Sequence, residues 1–288
     1  MKLLRLTVDG SAVPCILDGE GKAREVSSLV QDFTAETLPA VLAMLSGADF
    51  AALPVMPVVD ADILPPVARP GTIWCVGLNY SDHAEEAGLP VPSEPILFNK
   101  PAGTYCGPNA PLLHSEKMLK LDWEVELGIV IGKRALNVSR AEAMDHVLGY
   151  TIVNDVSERA WQMERGGQWV KGKSFPNFCP TGPWLVTKDE VPDPQALSMW
   201  LDVNGERMQA GTTARMIFDV ATIVSYMSEF CVLEPGDLIC TGTPPGVGMG
   251  KKPPRYLGPG DVVALGIDGL GRQRQVVQSL QTCRRVSP

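Results

Sequence analysis

The stretch Leu121-Asp122-Trp123-Glu124-Val125-Glu126-Leu127-Gly128-Ile129-Val130-Ile131-Gly132 alternates with a period of two residues. Trp123, Val125, Leu127, Ile129 and Ile131 fall on one face, and the other face opens with the carboxylates Asp122, Glu124 and Glu126. This pattern predicts a strand. At a rise of about 3.3 Å per residue, Glu124 and Glu126 stand about 6 to 7 Å apart on the same side. Like charges that close repel unless the face is well solvated or something positive lies between them. Two readings fit: an amphipathic strand with a wet acidic face, or a strand that presents its carboxylates to a cation.

Around that strand the composition is that of an ordinary globular chain. Its 288 residues, 45% of them hydrophobic, suffice for a sizeable core, as one large domain or a main domain with a small partner. A net charge of −8 and an isoelectric point near 5.0 argue against a nucleic-acid surface, since the basic runs are only the pairs Lys251-Lys252 and Arg284-Arg285. A small molecule is the expected partner. Seven cysteines, at positions 15, 75, 106, 179, 231, 240 and 283, include no C-x-x-C pair. With no signal-peptide pattern and no long apolar run, they are expected to be reduced thiols in a cytoplasmic protein that does not enter a membrane.

Upstream, Lys2 to Val8 and Val13 to Leu17 alternate on either side of Asp9-Gly10, which predicts a small hairpin. Thr37 to Leu45 has helical spacing behind a Thr37 cap, and the aperiodic, proline-rich segment Leu53 to Pro70 comes next. A boundary near residues 65 to 70 divides a small N-terminal α/β domain, 1–68, from a main domain, 69–288. Ile73 to Gly77 predicts a buried strand, succeeded by the polar helical segment Ser81 to Ala87. There His83 and Glu86, three residues apart, share a helical face. They are either a surface pair or a general base oriented by a carboxylate, the pairing that activates water near neutral pH. Ile96-Leu97-Phe98 reads as another strand, with Lys100 at its end.

Downstream, Ser139 to Glu142 fits a capping box opening a helix that runs to about His146, which places His146 at the surface. Gly149 to Val153 predicts a buried strand ending at Asn154-Asp155, and Val156 to Arg165 a helix. Asp155, Arg159 and Gln162 then fall at i, i+4 and i+7 on one face; alternatively Asp155 is the N-cap, ion-paired to Arg159. Lys171 and Lys173 lie just beyond. In the last third, Asn204-Gly205 signals a hairpin, Ile217 to Met227 a helix, and two Pro-Gly-Asp triplets each open a strand. The loop Thr241-Gly-Thr-Pro-Pro-Gly-Val-Gly248 is not a phosphate cradle, because its prolines remove backbone donors and no helix comes after it.

In order, these motifs are G-L-N-Y-x-D-H-x-x-E, W-E-V-E-L-G, N-D-V-S-x-R-x-x-Q, K-G-K-S-F and T-G-T-P-x-G-V-G. Over about residues 70 to 270 the chain thereby resembles the fumarylacetoacetate hydrolase superfamily, most closely its bacterial ureidoglycolate lyase-like and 2,4-diketo-3-deoxy sugar-acid hydrolase group. The resemblance implies an α+β, mostly β fold: a mixed β-roll catalytic domain with a small N-terminal domain, assembled as a homodimer. It also implies that Glu124, Glu126 and Asp155 hold Mg²⁺, with Mn²⁺ or Ca²⁺ as alternatives. Three hard oxygen ligands suit such an ion, and the ion would relieve the repulsion on the strand. By the same mapping Arg159, Gln162, Lys173 and Thr243 line the substrate site, Lys173 among the catalytic groups, and His83 with Glu86 activates water.

The reaction so implied is hydrolysis of a small 2,4-dioxo acid of the acylpyruvate type to pyruvate and a second carboxylic acid. Decarboxylation or isomerisation of a 2-oxo acid, and lysis of ureidoglycolate, are alternatives on the same scaffold. A structural cation clip in a binding protein is the non-enzymatic alternative, but it has no use for His83, Glu86 and Lys173.

Overall fold

A computed structural model, describing residues 1–86 and 90–281 apart from the side chains of residues 83 and 84, places Val125–Ile131 of the acidic stretch inside a long mixed sheet. The strands of this sheet run in the order Val55–Met56, Ala23–Glu25, Ser11–Leu17, Lys2–Val8, Cys179–Thr187, Val147–Asn154, Val125–Ile131, Leu238–Cys240, Ile73–Gly77 and Ile96–Lys100. Most neighbours are antiparallel, but Leu238–Cys240 runs parallel to Ile73–Gly77. A second sheet, Glu206–Thr212, Ser198–Val203, Val262–Ile267, Gly271–Ser279 and Leu112–His114, covers one side of the first. The longest α-helix among the described residues is Val220–Phe230.

The central strand Val125–Ile131 is buried along its whole length. Val125, Leu127, Ile129 and Ile131 pack in one core with Met199, Leu201, Val263 and Leu265 of the second sheet, while Val130 packs on the other side with Leu148, Val153 and Leu238. Each such side chain contributes roughly 1.5 to 3 kcal/mol by leaving water. A strand covered on both faces cannot carry a wet acidic side. Asp122, Glu124 and Glu126 are 0%, 5% and 2% exposed, which rules out the solvated reading of the alternation.

Several local expectations are corrected. The acidic stretch is two strands, not one: Leu121–Asp122 pairs with Ser157–Glu158, and Trp123-Glu124 interrupts the ladder before the central strand begins. That pairing claims the residues expected to begin a helix at 156. The helix is therefore only Arg159–Met163, capped by Glu158 through Ala160 N, and Asp155 lies outside it. At residues 139–146 the capping box forms, Ser139 N and Oγ both donating to Glu142, but it leads into a 3₁₀ turn, Ala143–His146. His146 is buried, with Nδ1 at 2.9 Å from Arg134 O. Thr37 does not cap its helix; its hydroxyl donates to Asp32 O.

The N-terminal hairpin forms as the alternation predicts, Lys2–Val8 against Ser11–Leu17, and Lys2 and Leu3 also pair with Val186 and Leu185. Residues from the expected 1–68 and 69–288 units thus share one sheet. The Asn204-Gly205 turn has φ of 53° and 80°, the left-handed pair that a tight hairpin requires. Both Pro-Gly-Asp triplets lead directly into strands, Leu238–Cys240 and Val262–Ile267.

Candidate active site

Antiparallel register assembles the acidic cluster. Val125 pairs with Asn154, so the residues just beyond them, Glu124 and Asp155, lie side by side, with Asp155 N donating to Glu124 O at 2.9 Å. Glu126 stands two residues along the same strand. Carboxylate oxygens of Glu124, Glu126 and Asp155 all lie within 4.8 Å of one another, and all three side chains are buried. On the strand's other edge, Thr241 N donates to Leu127 O, and Gly242 N reaches Glu126 Oε2 at 2.8 Å. Gly242 has φ of 95°, and a Cβ there would lie 2.9 Å from Asn79 Cβ, so this approach needs glycine.

Three buried cations surround the cluster. Lys173 Nζ bridges Glu124 Oε2 at 2.7 Å and Asp155 Oδ2 at 2.6 Å. Lys100 Nζ pairs with the other oxygen of Asp155 and donates to Val156 O at 3.1 Å. Arg159 spreads its guanidinium over Asp122 (2.8 Å), Glu124 (2.7 Å) and Gln162 Oε1 (3.0 Å). Asp122 is itself pinned by Gly248 N at 2.6 Å and Met249 N at 3.0 Å, so the loop after residue 243 fixes Arg159 through it.

The electrostatics derive from this arrangement. Burial works against the charges of Arg159 and Lys173, but the adjoining carboxylates prevail and hold both firmly protonated, their pKa values above the ordinary ones. For Glu126, burial, then Asp155 and Glu124, push the carboxyl well above its ordinary range. Among these described buried residues, four carboxylates (Asp122, Glu124, Glu126, Asp155) face three cations (Lys100, Arg159, Lys173), an excess of one negative charge. A divalent ion fits that donor set: hard oxygens, within reach of one another, short of positive charge at Glu126.

Glu124, Glu126, Asp155, Arg159, Gln162, Lys173 and Thr243 all line one cleft of about 530 Å³, a volume that includes its open mouth. Seven of the nine candidate residues therefore converge. Thr243 contributes differently from the expectation: its hydroxyl donates to Val125 O and accepts from Gln209 Nε2, tying the loop to the central strand. Glu86 does not line the cleft; its carboxylate accepts from Gly246 N at 3.0 Å, anchoring the helix Ser81–Glu86 to the loop that also holds Asp122. The side chain of His83 lies outside the described residues. Sequence reasoning passed over Asp122 and Lys100 as site residues. Both were visible, one inside the acidic stretch and one at a strand end, but nothing in their spacing distinguishes them from surface charges.

A mostly β enzyme scaffold with a buried carboxylate and cation cleft is the class that these observations define. The family description Fumarylacetoacetate (FAA) hydrolase C-terminal matches residues 72–278, and the chain belongs to the fumarylacetoacetate hydrolase family. It is 52% identical to a protein of Burkholderia multivorans, named no more specifically than as a hydrolase, over 97% of this chain and 99% of that one. Among solved structures it resembles the fumarylacetoacetate hydrolase of the psychrophile Exiguobacterium antarcticum, with TM-score 0.86 and 36% identity over 97% and 99% of the two chains. A 2-hydroxyhepta-2,4-diene-1,7-dioate isomerase from Mycobacterium marinum gives TM-score 0.78 and 34% identity over 97% and 99%. Maleylpyruvate hydrolase from Sphingobium sp. SYK-6, solved with manganese(II) and pyruvate, gives 0.80 and 27% over 97% and 99%. The protein is thus an enzyme of a family with hydrolase and isomerase members. No helix among the described residues is long and apolar enough to cross a membrane.

Proposed function

We propose that the protein is a divalent-metal-dependent hydrolase that splits a carbon–carbon bond of a small 2,4-dioxo acid, giving pyruvate and a carboxylic acid. The observation that carries the reading is the buried Glu124, Glu126 and Asp155 triad with Arg159 and Lys173 against it. Glu124, Glu126 and Asp155 would hold Mg²⁺, or Mn²⁺ or Ca²⁺; such an ion supplies Lewis-acid polarisation of the 2-oxo acid end. With a divalent ion in place the cluster turns from one negative charge in excess to one positive, which suits an anionic substrate. The maleylpyruvate hydrolase solved with manganese and pyruvate supports this choice of ion class and product.

Arg159, fixed by Asp122, and Gln162 present N–H groups towards the substrate carboxylate, and Lys173 supplies a positive charge beside them. His83, on the helix that Glu86 anchors through Gly246 N, takes a proton from water, and the oxygen adds to the 4-carbonyl carbon. The bond between carbons 3 and 4 breaks, and its electron pair accepts a proton at carbon 3 to become the methyl group of pyruvate. The assembly acting is a homodimer, which sedimentation of the purified protein tests.

A second reading, isomerisation of a 2-oxo acid, is favoured by the isomerase neighbour and needs no activated water. His83→Ala separates the two. The hydrolase reading expects pyruvate release from an acylpyruvate to fall by roughly 10²- to 10⁴-fold, the usual contribution of a general base, with Mg²⁺ affinity nearly unchanged. Unaltered turnover in that variant removes the base and transfers the case to the isomerase.

A further inference from the structure

We infer, resting on the dioxo-acid reading above, that the distal end of the substrate is a neutral apolar acyl group and that the cleft discriminates against a second carboxylate there. The charged residues of the described lining are Glu124, Glu126, Asp155, Arg159 and Lys173. Arg159 and Lys173 are the cations of that lining, and both are held among Asp122, Glu124 and Asp155. The other side chains of the described lining include the apolar Val76, Leu78, Phe98, Met163, Trp169 and Met249. Among the described lining residues a distal carboxylate finds no cation beyond Arg159 and Lys173, which are already paired, and a carboxylate desolvated without a partner is strongly disfavoured.

The apolar wall is built rather than incidental. Phe98 and Trp169 meet edge to face, with centroids 5.5 Å apart and planes at 70°. Lys173 Nζ lies 5.2 Å from the centre of the Phe98 ring, so the aromatic pair abuts the charged cluster. Trp169 reaches its place because residue 77 is glycine: a Cβ there would stand 2.4 Å from Trp169 Cζ3. The next residue, Leu78, lines the cleft from a left-handed backbone, φ 53°, which a branched side chain adopts only when its surroundings hold it. Asn79 does the holding: its Nδ2 donates to Phe218 O and Thr241 O, and its Oδ1 accepts from Phe218 N. These bonds fix Leu78 in the cleft lining.

Butyrylpyruvate and succinylpyruvate test this directly, since they match in chain length and differ in a terminal methyl against a terminal carboxylate. For the full-length, Mg²⁺-loaded protein, kcat/KM for butyrylpyruvate is expected to exceed that for succinylpyruvate by about 100-fold or more. Met249→Arg, which places a cation in the apolar wall, is expected to shift the ratio by at least about tenfold towards succinylpyruvate. Equal rates, or a preference for succinylpyruvate in the unaltered protein, overturn the inference while leaving the hydrolase reading standing. If neither acid releases pyruvate, the hydrolase reading fails, and calorimetric binding of the two acids decides the wall: tighter binding of butyrylpyruvate by tenfold or more upholds it, and equal or weaker binding overturns it.

Discussion

Replacing Glu126 with glutamine should stabilise the metal-free protein and, by the same change, cripple metal binding. Glu126 is the carboxylate left over when the buried cluster is paired off, within 4.8 Å of two others. At 4.8 Å each like-charge pair costs about 3.5 kcal/mol with an effective dielectric of about 20, before Lys173 offsets part of it. The alternative for the folded chain is to keep Glu126 protonated. From an ordinary value of 4.5, that costs about 3.4 kcal/mol at neutral pH. The two pairs together make about 7 kcal/mol, so protonation is the cheaper route and sets the ceiling. Glutamine keeps an oxygen for Gly242 N and turns an amide donor towards Glu124 and Asp155. A net gain of about 1 to 3 kcal/mol is expected, seen as a melting temperature higher by a few degrees in EDTA. Conversely, losing one anionic ligand weakens Mg²⁺ binding by roughly 100-fold if that ligand contributes about 2.7 kcal/mol. Saturating Mg²⁺ should then stabilise the original protein and do little for the variant.

Acidity supplies an internal check on the same pair of proteins. Because the folded value of Glu126 is raised above its unfolded 4.5, its contribution to metal-free stability is complete below 4.5 and is lost as pH climbs towards the folded value. Glu126→Gln should flatten that part of the stability curve. Unfolding by urea with and without Mg²⁺, across a pH series, measures all of this. A variant less stable than the original in EDTA, or one with undiminished Mg²⁺ affinity by calorimetry, would show that Glu126 is neither the uncompensated charge nor a ligand.

Lys173→Met runs the opposite way: with the bridge between Glu124 and Asp155 gone, metal-free stability should drop by about 2 to 4 kcal/mol while Mg²⁺ binds more tightly, and turnover is lost. Calorimetry on metal-stripped protein checks the sign. Asp122→Asn removes the charge that anchors Arg159 and sets its amide nitrogen against one of the two donors Gly248 N and Met249 N; about 2 to 3 kcal/mol of stability and a kcat/KM loss beyond tenfold are expected from urea curves and steady-state assays. At Asp219, burial opposes the charge, but the bonds from Thr222 and Arg140 prevail and hold the carboxyl below 3.8. Asp219→Ala should therefore cost about 1 kcal/mol at neutral pH by removing the cap of Val220–Phe230, and the gap should close as pH falls below 3.8, as thermal melts over an acid series would show.

Much of the strand layout was legible because alternation and turn chemistry are local. The hairpins at Asp9-Gly10 and Asn204-Gly205, the strands after both Pro-Gly-Asp triplets, and the central strand all rest on neighbours within a few residues. The misleading signals were local as well. Helical spacing over 156–165 competed with a strand pairing between Ser157–Glu158 and Leu121–Asp122, and a partner more than thirty positions away leaves no trace in the local period. The same holds for Thr37, whose hydroxyl found Asp32 O instead of its own helix.

The residue types of the site and their order are readable without coordinates: acid strand, Asn154-Asp155, Arg159, Gln162, Lys173 and Thr243, because each motif is a short contiguous run. That the acidic face is buried emerges only from packing, because Arg159, Lys173 and the loop at Gly242, which meet its carboxylates, come from segments far apart in the chain. Only the tertiary structure decided which charges pair, since Asp122 with Arg159 and Lys100 with Asp155 are contacts between segments 37 and 55 residues apart. Periodicity says which way a side chain points, and only the packing of distant segments says what it meets there.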